Sequence, residues 1–157
     1  MKQIAVIGSA DDVTGVVEEM AEEIGRGIAR RGAVLISGGR TGVMEASCRG
    51  AKAEGGLVVG ILPKSKEQAN RYVDVAIITD MGDARNVLNV RSADAVISVC
   101  GGAGTLSEIG LALKADRKVV ALKSSGGVSG MLAGETIAGK TILAAESVED
   151  ALKLAFE

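Results

Sequence analysis

The fold of this chain is decided by one stretch, residues 94–108, whose sequence is DAVISVCGGAGTLSE. Its apolar start, Ala95 to Val99, is typical of a parallel strand that is buried on both faces. The three glycines that follow predict a sharp turn with uncovered N–H groups, because glycine tolerates backbone angles that other residues resist. Apolar residues at helical spacing, from Leu106 to Leu113, predict a helix that opens directly from this turn. Because N–H groups and the helix dipole both point at such a turn, we predict that it binds a phosphate group.

Two further segments, both in the N-terminal third of the chain, have the same order of strand, glycine-containing turn and helix. The strand Ile4–Ile7 precedes Gly8-Ser9-Ala10, and the strand Ala33–Ile36 precedes a second glycine turn that ends at Gly42. Strands that alternate with helices of ten or more residues predict a parallel sheet with helices on both faces. Such sheets bind ligands beyond the carboxyl ends of their strands, so we expect all three turns to lie at one edge.

We therefore predict an α/β fold, a Rossmann-like, doubly wound and mainly parallel sheet of about seven strands. The whole chain, residues 1–157, is expected to form one nucleotide-binding domain. Residues 64–74 are polar and aperiodic, and we interpret them as a mobile loop or short irregular helix near the ligand. Residues 83–92 are interpreted as a polar helix, and residues 124–139 as a glycine-rich surface segment. The remaining strands are predicted at 57–62, 75–78, 118–122 and 141–144, and the remaining helices at 13–31, 43–53 and 147–156.

Composition excludes several kinds of site. The 157 residues include no histidine, which removes histidine-based acid–base catalysis and histidine metal ligands. The formal net charge of −2 offers no general basic field for nucleic acid. Cys48 and Cys100 are isolated, and we expect two small thiols in a reducing compartment rather than a disulfide scaffold. The N-terminal apolar run is too short for a signal peptide and no apolar run could span a membrane, so we expect a cytoplasmic protein.

The two longer glycine turns are the candidate binding site. Glycine simply favours tight turns between a strand and a helix, and this structural explanation stays open. The functional interpretation is that both turns are arms of one phosphate pocket, with hydroxyls supplied by Thr41 and Thr105. The candidate binding residues are Gly8, Ser9, Gly38, Gly39, Arg40, Thr41, Gly42, Gly101, Gly102, Ala103, Gly104 and Thr105.

Two polar positions outside the glycines have two interpretations each. Thr105 and Glu108 fit a capping box, in which Glu108 bonds back to the start of its helix. The alternative is that Glu108, in the first turn of a phosphate-binding helix, lies beside the ligand. Arg85, Asn89 and Ser92 recur at spacings of four and three, which predicts one polar helix face, either solvated or close to the ligand edge.

One sequence match is rejected. Residues 134–141 fit the P-loop pattern G-x-x-x-x-G-K-[ST], but no convincing strand precedes them and the next residues look extended. Only 16 residues follow Thr141, too few for a downstream sheet that would supply a magnesium-binding aspartate. The dinucleotide pattern G-x-G-x-x-G is also absent from the first turn, so we do not expect a standard NAD site.

The two glycine turns and Arg85 together resemble the Lonely Guy superfamily, which contains cytokinin-activating phosphoribohydrolases and molybdenum-cofactor carrier proteins. The resemblance extends from the first strand to the last helix. It implies a Rossmann-like homodimer with a small-molecule ligand, an AMP-like nucleotide or the molybdenum cofactor, whose phosphate lies on the glycine turns. We expect no required cofactor, no metal site, and no nucleic-acid or membrane partner.

In the hydrolases of this superfamily, a P-G-G-x-G-T-x-x-E loop supplies the phosphate contacts and a catalytic glutamate, which Glu108 matches. An upstream arginine in M-H-x-R-K is the other catalytic group, and Arg85 lies at its place. The implied reaction is cleavage of the N-glycosidic bond of a nucleoside 5′-monophosphate. Glu108 would stabilise the oxocarbenium-like sugar or orient water, and Arg85 would hold the phosphate or the sugar.

The sequence departs from the hydrolase pattern in two places. Cys100 replaces the proline, and the histidine and lysine around Arg85 are absent. The leading hypothesis is therefore a protein that binds a nucleotide or a phosphate-bearing cofactor, as a molybdopterin-type carrier does. The alternative is a nucleoside monophosphate phosphoribohydrolase that uses Arg85 and Glu108. A third class, handling of single-stranded DNA, is disfavoured by the acidic pI and by the lack of stacking aromatics.

Overall fold

The computed structural model describes residues 1–11 and 13–157. The strands are β1 (Gln3–Gly8), β2 (Val34–Ser37), β3 (Val58–Leu62), β4 (Val75–Ile78), β5 (Ala95–Val99), β6 (Lys118–Leu122), β7 (Thr136–Ile137), β8 (Lys140–Thr141) and β9 (Leu143–Ala145). The helices are α1 (Gly15–Arg30), α2 (Val43–Ala53), α3 (Asn86–Arg91), α4 (Ala103–Lys114), α5 (Gly127–Leu132) and α6 (Val148–Phe156). Short 3-10 segments occupy Lys66–Gln68, Gly82–Arg85 and Lys123–Ser125.

Seven strands form one parallel sheet in the order β4-β3-β2-β1-β5-β6-β9. Strand β1 pairs with β2 on one side and with β5 on the other, so the strand order reverses between β1 and β5. The predicted Rossmann-like sheet is therefore confirmed. The connections that follow β1 and β5 lead away from each other, because the strand order reverses between these two strands. A crevice therefore forms beyond their carboxyl ends, at Gly8 and Val99.

The core consists of two apolar layers, one on each face of the sheet. On one face, α1, α2 and α6 cover Ile4 and Val6 of β1 and Ile97 of β5. On the other face, α3 and α4 cover Ala5 and Ile7 of β1. The alternation of side chains along β1 assigns successive residues to opposite layers, as expected for a strand that is buried on both faces.

Several predicted elements have different bounds in the structure. The polar helix predicted at 83–92 is a 3-10 segment followed by the six-residue helix α3. The surface segment predicted at 124–139 contains helix α5 and strand β7. The strand predicted at 141–144 divides into β8, which pairs with β7, and β9, which joins the large sheet. Local apolar periodicity could not separate these short elements, because their bounds depend on pairing with distant residues.

The rejected P-loop pattern lies in an antiparallel hairpin. Thr136 faces Thr141 across the β7–β8 pair, so the segment is not a strand-to-helix loop, and the rejection is confirmed. The last helix begins as predicted, since Ser147 Oγ accepts a hydrogen bond from the Asp150 N–H at 3.1 Å. No helix in the described part of the chain is both long enough and apolar enough to cross a membrane.

Candidate functional site

A cavity of about 230 Å³ lies at the carboxyl edge of the sheet, where β1 and β5 are neighbours. Its walls come from four segments: the end of β1, the turn after β2, the 3-10 segment before α3, and the start of α4. The lining residues are Val6, Ile7, Gly8, Ser9, Ala10, Asp11, Gly38, Arg40, Met44, Asp83, Arg85, Asn86, Gly102, Gly104, Thr105 and Glu108.

The structure brings nine of the sequence-predicted site residues to this cavity, and five others lie elsewhere. Those on the cavity are Gly8, Ser9, Gly38, Arg40, Arg85, Gly102, Gly104, Thr105 and Glu108. Those outside its lining are Gly39, Thr41, Gly42, Gly101 and Ala103. The predicted loop at residues 64–74 is not part of the lining, but Asn70 Nδ2 donates to the Arg40 carbonyl at 2.8 Å and supports the turn from outside.

The turn after β2 is largely a structural connection. A Cβ at Gly42, whose φ is 64°, would overlap the Ser9 carbonyl oxygen, and a Cβ at Gly39 would lie 3.0 Å from the Leu62 side chain. The Thr41 hydroxyl donates to the Ala10 carbonyl at 2.8 Å. This differs from the predicted phosphate contact of Thr41, because the hydroxyl instead joins this turn to the β1 turn.

Gly38 contributes to the cavity by making room for a side chain. A Cβ there would lie 2.5 Å from the Met44 sulfur and 3.0 Å from Arg85 Nη1, so these two side chains occupy the space that a larger residue would fill. The turn after β2 thus provides a place for Arg85 on the cavity wall.

The turn before α4 is open to the cavity. A Cβ added to Gly102 or Gly104 would meet no atom within 4 Å. The first N–H of α4 with an intrahelical partner is that of Leu106, which donates to the Gly102 carbonyl at 2.9 Å. The N–H groups of Ala103, Gly104 and Thr105 therefore have no partner within the helix, and they lie at the positive end of its dipole.

Residues 125–129 fix the start of this open turn, which the sequence did not predict. Cys100 has a φ of 53°, and its N–H donates to Ser125 Oγ at 2.7 Å. Its carbonyl accepts hydrogen bonds from the Ser129 N–H at 3.0 Å and from the Ser129 hydroxyl at 2.7 Å. A proline could not occupy position 100 here, because proline has no N–H and a φ near −65°.

Ser125 and Ser129 are the residues that sequence reasoning missed at this turn. Both are buried, and Ser129 Oγ also lies 2.6 Å from Ser98 Oγ. The polar Ser98 within an otherwise apolar strand was the one available signal, since a buried hydroxyl requires a partner from another element.

Arg85 is buried on the cavity wall, with 6% of its surface exposed. Its Nη1 donates to Asn86 Oδ1 at 3.0 Å, while its Nε is buried without a hydrogen-bond partner. Burial lowers the pKa of Arg85, and the charge of Glu108 opposes this effect. A buried guanidinium with a free donor can bind an anionic group that enters the cavity.

Glu108 lies in the second turn of α4, so its predicted place in the first turn is wrong. The N-cap of α4 is Gly102, and no side chain caps the helix, so the capping-box alternative is also wrong. The Glu108 carboxylate faces α3 instead, where Asn89 Nδ2 donates to Oε1 at 3.2 Å. Burial raises the pKa of Glu108 to about 7, against the opposing effects of the Asn89 hydrogen bond and the Arg85 charge.

The predicted polar face of residues 85–92 is partly correct. Arg85 and Asn89 are buried and face α4, whereas Ser92 is exposed. Asp83 and Asp11 are two further acidic residues on the cavity that we did not predict. Nothing in the local pattern around these aspartates distinguished them from solvated surface residues.

Comparison with known proteins gives consistent results. A family model described as the SLOG cluster4 family matches residues 1–152. Two solved structures superpose over nearly the whole chain. The molybdenum cofactor binding protein from the phototrophic bacterium Rippkaea orientalis is 40% identical, with a TM-score of 0.88 over 98% of this chain and 94% of that one. The molybdenum cofactor carrier protein from Chlamydomonas reinhardtii is 31% identical, with a TM-score of 0.88 over 99% of each chain.

A third relative is an enzyme. The cytokinin riboside 5′-monophosphate phosphoribohydrolase of Mycobacterium tuberculosis is 38% identical over 111 residues, which are 68% of this chain and 59% of the enzyme. The similarity therefore spans less than two thirds of the length of that enzyme.

Proposed function

The chain belongs to the SLOG cluster4 family, and from this premise we propose that its cavity binds a nucleotide or a phosphate-bearing cofactor without cleaving it. Membership also confirms the resemblance to the superfamily of Lonely Guy hydrolases and molybdenum-cofactor carriers. The finer proposal is a carrier for a molybdopterin-type cofactor, which is its cargo rather than a resident group.

One observation carries the proposal: the open start of α4 and the buried guanidinium of Arg85 line the same cavity. Gly104 lies inside the first turn of a helix, where glycine is destabilising by about 0.5–1 kcal/mol relative to alanine. No neighbouring atom requires glycine at this position, since a Cβ there would meet nothing within 4 Å. A ligand group that approaches the backbone closely would explain the glycine, and the Arg85 guanidinium, which lines the same cavity, would complete its binding.

The residues at the cavity fit the phosphate part of such a cofactor. The first-turn N–H groups of α4, the Thr105 hydroxyl and the Arg85 guanidinium would hold the phosphate oxygens. Arg40, at the mouth of the turn after β2, would add a second positive charge. The part of the ligand beyond the phosphate would extend toward Asp83 and Asn86.

The alternative function is hydrolysis of a nucleoside 5′-monophosphate, and one observation favours it. Arg85 and Glu108, the two residues that match the catalytic pair of the hydrolases, both line the same cavity. In that reaction the Glu108 carboxylate would stabilise positive charge at the sugar as the bond to the base breaks. Against it, the positive φ of Cys100 and the use of its N–H leave no place for the proline of the hydrolase loop.

Two further expectations rest mainly on the family resemblance. We propose a homodimer, supported by an apolar groove beside α4 that includes Leu106, Leu113 and Ile137. A cytoplasmic location is part of the same proposal.

We do not propose a role in handling single-stranded DNA, since the cavity carries more acidic than basic side chains.

Incubation with AMP and the other nucleoside monophosphates tests the proposal, with free base measured by chromatography and binding by the shift in melting temperature. We expect a higher melting temperature with at least one phosphate ligand and no released base. Release of base by the native chain, lost in both Glu108→Gln and Arg85→Ala, would establish the hydrolase instead. Purified molybdenum cofactor, followed by co-elution on gel filtration, tests the finer proposal in the same way.

A further inference from the structure

Asn89 lies behind Glu108 and is almost completely buried, with 2% of its surface exposed. It follows Arg85 by one helical turn but does not itself line the cavity. Its Nδ2 donates to Glu108 Oε1 at 3.2 Å, and its Oδ1 is buried without a hydrogen-bond partner. A buried acceptor without a partner is destabilising, so this arrangement requires an explanation.

A side-chain amide has a donor end and an acceptor end, and a half-turn of the amide plane exchanges them. In the structure Asn89 Nδ2 donates to Glu108 Oε1, an arrangement that suits an ionised carboxylate. A protonated Glu108 would instead donate its O–H to Oδ1 after the half-turn. Asn89 can therefore hold the Glu108 side chain in the same place in both charge states, with Oδ1 as the partner of the protonated form.

The two positive and two negative side chains that line the cavity with Glu108 cancel, so they leave no excess positive charge to hold two anions. Arg85 is the cation on the segment before α3, and Arg40 lies on the turn after β2. Asp11, after β1, and Asp83, beside Arg85, are the facing anions. Helix α5, which also packs against α4, has no charged residue, and Lys118 of β6 starts that strand at the opposite edge of the sheet. An anion bound at the start of α4 would therefore disfavour a second negative charge at Glu108.

We infer that Asn89 is a positioning residue for Glu108, and that binding of an oxyanion at the start of α4 is accompanied by uptake of one proton at Glu108. The proton comes from solvent and forms an O–H bond at the Glu108 carboxylate, with no other bond made or broken. This inference rests on the proposed phosphate site. Beyond that site, Asn89 acts on Glu108 without touching the ligand, and one proton is bound together with the oxyanion.

The expected pH range follows from the burial of Glu108, which raises its pKa to about 7. If the protonated form binds the anion, affinity falls as the pH rises through this value. The association constant should be about tenfold lower at pH 8 than at pH 6. Sulfate is the suitable probe, because unlike phosphate it does not itself titrate in this range.

Calorimetric titration with sulfate, in two buffers that differ in ionisation enthalpy, measures both affinity and proton uptake. We expect uptake approaching one proton at pH 8 for the native chain. Glu108→Gln should take up no proton and should bind sulfate equally at pH 6 and pH 8. Asn89→Leu removes the donor to the carboxylate, so the midpoint of the pH profile should move upward.

Ser92→Ala, on the exposed end of the same helix segment, is the matched control and should leave the midpoint unchanged. Equal sulfate affinity of the native chain at pH 6 and pH 8 would overturn the inference and leave the phosphate site intact. An unmoved midpoint in Asn89→Leu, with a normal melting temperature, would overturn the positioning role. Absence of sulfate binding at both pH values would instead contradict the proposed phosphate site itself.

Discussion

The two long glycine turns have similar sequences, Gly-Gly-Arg-Thr-Gly at 38–42 and Gly-Gly-Ala-Gly-Thr at 101–105. Their glycines nevertheless have different surroundings and different roles. In the first turn, the glycines are required by neighbouring protein atoms, as at Gly42 against the Ser9 carbonyl. In the second turn, Gly102 and Gly104 have only empty space beside them. The first turn is packed and the second is open.

This difference shows that a glycine pattern does not by itself distinguish a tight connection from a ligand site. The distinguishing property is what a Cβ would meet: protein atoms where glycine serves packing, and nothing where glycine leaves room for a ligand. By that criterion, most of the predicted phosphate contacts belong to the second turn, and the first turn contributes Gly38 and Arg40.

The largest effect is expected where the open turn begins. Cys100→Pro should lower the free energy of unfolding by about 3 kcal/mol or more, because proline cannot adopt the φ of 53° and has no N–H for Ser125. Cys100→Gly keeps the N–H and tolerates this φ, so its loss should be much smaller. Urea unfolding of both variants measures the difference, and equal stability of the two would show that the turn is not fixed in this way.

The next effect concerns the buried carboxylate of the open turn and depends on pH. The pKa of Glu108 is raised from 4.5 to about 7 in the folded chain, so stability falls as the pH rises between these values. Glu108→Gln should therefore raise the free energy of unfolding at pH 8 by an amount on the order of 3 kcal/mol. The gain should vanish near pH 4.5, and chemical denaturation at both pH values checks it. A gain that is independent of pH would contradict the assigned titration.

The packed turn should respond to a methyl group with a loss of stability. Gly42→Ala forces alanine to a φ of 64° and against the Ser9 carbonyl. The backbone conformation alone should cost about 1–3 kcal/mol. Thermal unfolding measures this loss, and an unchanged melting temperature would mean that the first turn is not packed as described.

The same methyl group in the open turn should have the opposite effect on stability and a separate effect on binding. Gly104→Ala should raise the free energy of unfolding by about 0.5–1 kcal/mol, since alanine is the better helix former. It should weaken binding of sulfate or AMP by about tenfold, which corresponds to about 1.4 kcal/mol.

Gly15→Ala, in the first turn of α1 and likewise with no atom within 4 Å of an added Cβ, is the matched control. It should give a similar gain in stability with unchanged binding. If Gly104→Ala bound sulfate as well as this control did, the open turn would not be the ligand site.

Much of the fold followed from the sequence, because a buried parallel strand leaves a strong local signal. Ala95–Val99 and Ile4–Ile7 are apolar runs that end in glycine, and both were assigned within a residue or two. Residues 124–139 were interpreted as a surface segment without regular structure, because their elements are short and depend on distant contacts. Helix α5 is hydrogen-bonded to Cys100 and Gly101, and β7 is paired with β8. The site residues that directly follow a strand, such as Ser9 and Gly38, were predicted from the sequence, because a strand end fixes their place at the sheet edge.

The sequence by itself determined the sheet and the edge at which the turns meet, since the carboxyl ends of parallel strands share one side. The convergence of Arg85 and Glu108 on that edge was predicted from the resemblance to the hydrolase motifs. Only the tertiary structure decided which glycine turn is open, that Glu108 faces Asn89 rather than capping its helix, and that Ser125 and Ser129 fix Cys100. These features depend on distances between residues that are 19 to 29 positions apart in the chain. Local periodicity carries no information about such distances, because packing sets them.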